Sequence, residues 1–162
     1  MTKTILLLMM LTTLVSFSQA LVGTQNNGSR ASSPPNDTLA GAIPITPSLA
    51  GTGCTTASLF TLNFTTDGTT DSGMDGSCNG TGTGLDQFFT WTATTDGLVF
   101  RSGSLGDPGI VIRDTSGNEI DCAPTFGDAF LSGWAIGDDL IIQIYDSAGQ
   151  FFNVQFCLQE ST

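Results

Sequence analysis

The sequence predicts an all-β fold, a two-sheet antiparallel β-sandwich of jelly-roll type with about seven to nine strands. Three observations predict it. Short apolar runs recur along the chain. They alternate or run continuously instead of repeating at the helical period. Turn-forming Gly, Asp, Asn and Thr separate them.

Taken in order, LAGAIPIT (39–46) reads as a first edge strand, because Pro44 has no N–H for a ladder. SLFTLNF (58–64) sets Phe60, Leu62 and Phe64 against Leu59, Thr61 and Asn63. DQFFTWTAT (86–94) puts Phe89, Trp91 and Ala93 on one face, with Phe88, Thr90 and Thr92 on the other. LVFRSG (98–103), GIVIRD (109–114), DLIIQIYD (139–146) and FFNVQFCL (151–158) follow, with TDG, TSGN, FGD and IGDD as turn signals between them. The stretch from Asp67 to Gly84 reads as a long Gly/Thr/Asp loop with almost nothing to bury.

Residues 1–20 have the form of a secretory signal peptide. Lys3 precedes an apolar run from Ile5 to Val15, and the small residues Ser18 and Ala20 set cleavage after Ala20. The run is too short to serve as a membrane anchor. Residues 21–33 are small and polar and read as a flexible leader, and 34–162 as one domain. The expected location is extracellular or periplasmic.

The cleaved chain holds three arginines, no lysine and fifteen acids, a net charge of −12. Such a surface repels phosphate backbones and anionic lipid heads, which argues against nucleic-acid and membrane partners. Cys54, Cys78, Cys122 and Cys157 are an even set in a secreted chain and read as two disulfides. All three pairings are open to sequence; the shorter loops favour Cys54–Cys78 with Cys122–Cys157.

Catalytic chemistry is narrowed by composition. Without His there is no Ser-His-Asp or Cys-His arrangement, and without Lys no Schiff base. A carboxylate pair of the glycosidase type is the remaining option. Its one candidate, Asp138 and Asp139, sits at a turn where neighbouring side chains diverge. The expectation is a protein that is not an enzyme.

Calcium is the candidate cofactor, since it takes six to eight hard oxygens from carboxylates, amides, backbone and water. Asn36, Asp37, Asp67, Asp71, Asp75 and Asp86 have the right chemistry in suitable loops, although the spacing is not that of an EF-hand. The alternative is that these side chains cap turns. Trp91 reads as core and Trp134, near a loop, as the better candidate for an exposed sugar platform. Asn27, Asn36, Asn63 and Asn79 each begin a glycosylation sequon.

The order PPNDTLAGAIPIT, LDQFFTWTATTDG, GDPGIVIRDTSGNEIDCA, GDDLIIQIYD, FFNVQFCLQ resembles a β-sandwich module of secreted Bacteroidetes proteins, related to the bacterial pre-peptidase C-terminal domain. The resemblance spans residues 34–162. It implies a non-catalytic accessory module docking to an extracellular polysaccharide or protein. It also allows a structural or adhesion subunit that pairs with itself. In collagen-binding relatives, calcium is held by an Asn-Asp pair before the first strand and by acids leading into the strand matched by FFTW. Here Asn36 and Asp37 match the pair and Asp86 matches the acid, while Asp67, Asp71 or Asp75 would supply the rest. Leu39 stands near where relatives carry a cysteine, so one of their disulfides is missing. The chain also stops one short tail after its last strand, where relatives often add a sorting domain.

Overall fold

The computed structural model describes residues 33–54, 59–63, 70–78, 84–103, 108–124, 128–146 and 153–162. Residues 1–32, which include the expected signal peptide and Asn27, lie outside them, as do Asp67, Asn79 and the side chain of Asn63.

The described strands form the expected β-sandwich. They are β1 (Ile43–Pro44), β2 (Phe60–Asn63), β3 (Leu85–Thr92), β4 (Gly97–Ser102), β5 (Gly109–Asp114), β6 (Glu119–Ala123), β7 (Asp128–Ser132), β8 (Asp139–Asp146) and β9 (Asn153–Glu160). One sheet runs β1-β3-β8-β5-β6 and the other β2-β9-β4-β7. Every strand pairing is antiparallel except β1 with β3.

Alternation decides which side chains fill the space between the sheets. Phe89 and Trp91 of β3, Leu98 and Phe100 of β4, Ile110 and Ile112 of β5, and Leu140, Ile142 and Ile144 of β8 all enter one core. Phe156 of β9 sits among three rings, with centroids 5.2 Å from Phe60, 6.3 Å from Phe100 and 6.4 Å from Phe89. Trp134 is no exposed platform. It is 8 % exposed, meets Trp91 edge-on at 5.9 Å, and its Nε1–H donates to the Thr95 carbonyl at 2.8 Å. Buried indoles keep such a partner because an unmatched N–H is costly.

Three sequence expectations are corrected. LAGAIPIT is a strand only at Ile43–Pro44; Leu39–Gly41 is a single 3-10 turn closed by Gly41 N–H donating to Thr38 O at 2.9 Å. Gly41 is required there, since a Cβ would lie 1.8 Å from the Pro35 carbonyl oxygen. The segment then crosses between sheets: Ile45 N–H donates to Thr90 O in one, and Ser48 bridges Gln159 in the other. Secondly, β6 and β7 were not expected. EIDCA and DAFLS mix acids with small residues, and they pair because β5 and β4 lie beside them.

Thirdly, the disulfides are Cys54–Cys157 and Cys78–Cys122, with Cα separations of 5.8 and 6.1 Å. Cys122 and Cys157 lie on the outward faces of opposite sheets, Cys122 beside Val111 and Cys157 between the core residues Phe156 and Leu158, so they point away from each other. Each instead takes a cysteine from the loop that passes over it. Proximity in the sandwich overrides loop length.

Candidate functional site

The five-stranded sheet has a second, outward face, and alternation specifies its side chains as it does those of the core. Register sets them in rows. Asp86, Tyr145 and Gly109 form one; Phe88, Gln143, Val111 and Cys122 the next; then Thr90, Ile141 and Arg113; then Thr92 and Asp139. The first two rows face away from the other sheet, yet Asp86, Phe88, Gln143, Val111 and Tyr145 are all fully buried.

Two loops cover them. The doorway around Asn36 and Asp37 is one, fastened by Phe88 N–H donating to Asn36 O at 2.8 Å and by Asn36 Nδ2 donating to Gln87 Oε1 at 3.3 Å. Residues 70–78 are the other. This is the loop expected to bury almost nothing, and its Gly76 is pressed so closely to Val111 that a Cβ would lie 2.7 Å from that side chain. Asp37 joins the two loops, both of its carboxylate oxygens accepting from Thr70, from the backbone N–H at 2.6 Å and the hydroxyl at 2.9 Å. Cys78–Cys122 and Glu119, which accepts from Ser77, pin the far end.

Beneath the cover lies a polar chain. The Ser72 hydroxyl donates to Asp86 Oδ2, and Gln143 Nε2 donates to the same oxygen at 2.7 Å and to Met74 O at 3.0 Å. Gln143 Oε1 accepts from Arg113 Nε at 2.9 Å. Burial lifts the Asp86 carboxyl to about 6, against the lowering effect of the Ser72 and Gln143 hydrogen bonds, and Asp71 nearby adds to the rise. Asp86 Oδ1 is buried without a hydrogen-bond partner. Tyr145, laid over Gly109, donates its hydroxyl to Ala123 O at 3.2 Å, and burial pushes it up to about 12.

The expected calcium set is therefore brought together in part. Asn36 and Asp37 belong to the cover and Asp86 lies beneath it, each buried. Asp71 sits in an exposed turn and accepts from Gly73 N–H at 2.8 Å; Asp75 is exposed, its carbonyl turned toward Arg113 at 3.2 Å. Of the four carboxylate oxygens of Asp37 and Asp86, three face N–H or O–H donors, and the Arg113 guanidinium stands behind Gln143, which donates to one of them. Calcium needs six to eight oxygens turned toward it and repels such donors. As built, these residues do not fit the ion.

Where the cover stops, beyond the buried Arg113 and Ile141, Thr90 of the third row and Thr92 and Asp139 of the fourth reach the surface. A groove of about 480 Å³ runs there, lined by Pro44, Thr90, Thr92, Thr115, Asp139 and Ile141 among others. Asp138 and Asp139 serve separate partners: Asp138 accepts from Ala135 N–H at 2.9 Å and Asp139 from the Thr92 hydroxyl at 2.7 Å. The buried polar residues Arg113 and Gln143 were not singled out from sequence. The signal was there, because GIVIRD and DLIIQIYD each carry a polar residue in a run apolar on both faces, which indicates cover on both sides. Among the described residues no helix is long and apolar enough to cross a membrane. Comparison with protein-family models and with curated proteins finds no match to the chain.

Proposed function

We propose that this chain is a secreted, non-catalytic binding module that docks an extracellular polysaccharide in the groove on the open half of its five-stranded sheet. One observation carries the reading. Half of that outer face is sealed by two loops and a disulfide, and the other half is left as a groove with hydroxyls from Thr90, Thr92 and Thr115 and the carboxylate of Asp139. Hydroxyl and carboxylate oxygens beside apolar Pro44 and Ile141 suit a chain of sugar hydroxyls and C–H faces. The net charge of −11 over the full sequence disfavours an anionic polymer. The resemblance to pre-peptidase C-terminal modules and the two disulfides support an accessory role outside the cytosol.

A panel of neutral polysaccharides in affinity electrophoresis tests this. Retardation by at least one, lost in Thr90→Arg or Thr92→Arg with the melting temperature unchanged, is the expected result. Equal retardation of wild type and both variants, or none with any polymer, removes the proposal. Self-association is favoured as a second reading by exposed Leu49, Phe130 and Ile136, at 67, 62 and 69 %. A concentration series on size exclusion separates the two.

A further inference from the structure

We propose that Arg113 is the resident cation of the covered face, and that its guanidinium, in place of a calcium ion, holds the doorway and the 70–78 loop closed. The inference does not depend on what the groove binds.

Arg113 projects from β5 into the polar layer and is 4 % exposed. A buried guanidinium is stable only when its donors are matched. Here Nε donates to Gln143 Oε1 at 2.9 Å, Nη1 to Gly117 O at 3.1 Å, and Nη2 to Met74 O at 2.8 Å and Asp75 O at 3.2 Å. Two of these acceptors are backbone carbonyls of the covering loop, and a third belongs to the β5–β6 turn beneath it. Burial lowers the guanidinium from its ordinary range, while Glu119, Asp86 and Asp75 act in the opposite direction by their charge.

Loop carbonyls and converging carboxylates are what a calcium ion gathers. In this chain a guanidinium has taken the carbonyls. It reaches Asp86 through Gln143, whose oxygen faces Arg113 and whose amide N–H groups face Asp86 Oδ2 and Met74 O. A divalent ion placed among them would meet like charge at short range in a poorly solvated layer, where that repulsion is strong. The planar fork also fixes the directions of its donors, which an ammonium does not.

Thermal melts of the whole secreted chain test this. In millimolar calcium and in EDTA the wild type is expected to melt at the same temperature to within about one degree. Arg113→Met should lower the melting temperature by about 10 °C or more, because it strands the acceptors of a buried charge. Arg113→Lys keeps the charge but not the fork and should fall between. Arg101→Met is the control: its pair with Asp128 is at 3.5 Å with both side chains about half exposed or more, and its loss should move the melt by about 2 °C at most. Should Arg113→Met fail to fold, the wild-type calcium comparison and the Lys variant still decide. A wild-type melt raised several degrees by calcium overturns the proposal, as does an Arg113→Met melt no lower than that of Arg101→Met.

Discussion

The two faces of the five-stranded sheet are built from the same strands by opposite means. Toward the other sheet, Phe89, Trp91, Ile110, Ile142 and Ile144 meet apolar partners, and shape and area hold them. Toward the outside, Asp86, Gln143 and Arg113 are equally buried but held by directed hydrogen bonds to one another and to loop carbonyls. An apolar layer tolerates small shifts of its parts, whereas a buried polar layer is stable only while each donor and acceptor is met. The core therefore secures the sandwich, and the polar layer specifies where two otherwise featureless loops must lie.

Substitutions on the two sides should separate these roles. The largest effect is expected for Phe156→Ala, which removes the ring contacted by Phe60, Phe89 and Phe100; a loss of about 4 kcal/mol in urea denaturation would open the whole sandwich. Gln143→Met keeps volume but leaves Asp86 Oδ2 and Arg113 Nε each short of a partner, costing about 2–3 kcal/mol. Its signature is local. Hydrogen exchange should rise in residues 70–78 ahead of the core strands, and uniform exchange across both would mean that the faces are not separable.

The third effect, comparable in size to the second, is that of pH on Asp86. Its carboxyl is raised from 3.8 to about 6, chiefly by burial, so between those values the folded chain holds a proton that the unfolded chain has released. The contribution of this group to stability is thus full below 3.8, declines as pH rises toward about 6, and is lost above it. Melts from pH 4 to 7 should show wild type losing ground to Asp86→Asn as pH rises. Parallel curves would mean that the carboxyl is not desolvated.

Much of the fold was legible because alternation is a local property. Phe89, Trp91 and Ala93 declare their face within a single strand, and Gly and Asp mark the turns whatever the rest of the chain does. The doorway is partly legible too: side-chain chemistry groups Asn36, Asp37 and Asp86, and the folded chain sets the first two in the loop that covers the third. The oxygens' partners were not legible. Thr70, Ser72 and Gln143 are ordinary polar residues until the register of β3 and β8 sets Phe88 opposite Gln143 and the 70–78 loop above both.

By itself, then, the sequence determined the kind of structure, an acidic β-sandwich with four cysteines and without imidazole. Tertiary structure alone decided which cysteines join, which sheet face is sealed, and that Arg113 is buried against the carbonyls of the covering loop. The reason is physical: strand pattern follows from each residue's nearest neighbours, while disulfides and buried polar contacts join residues tens of positions apart, at separations of 44 and 103 for the two bridges. Such partners exist only once the sheets have assembled.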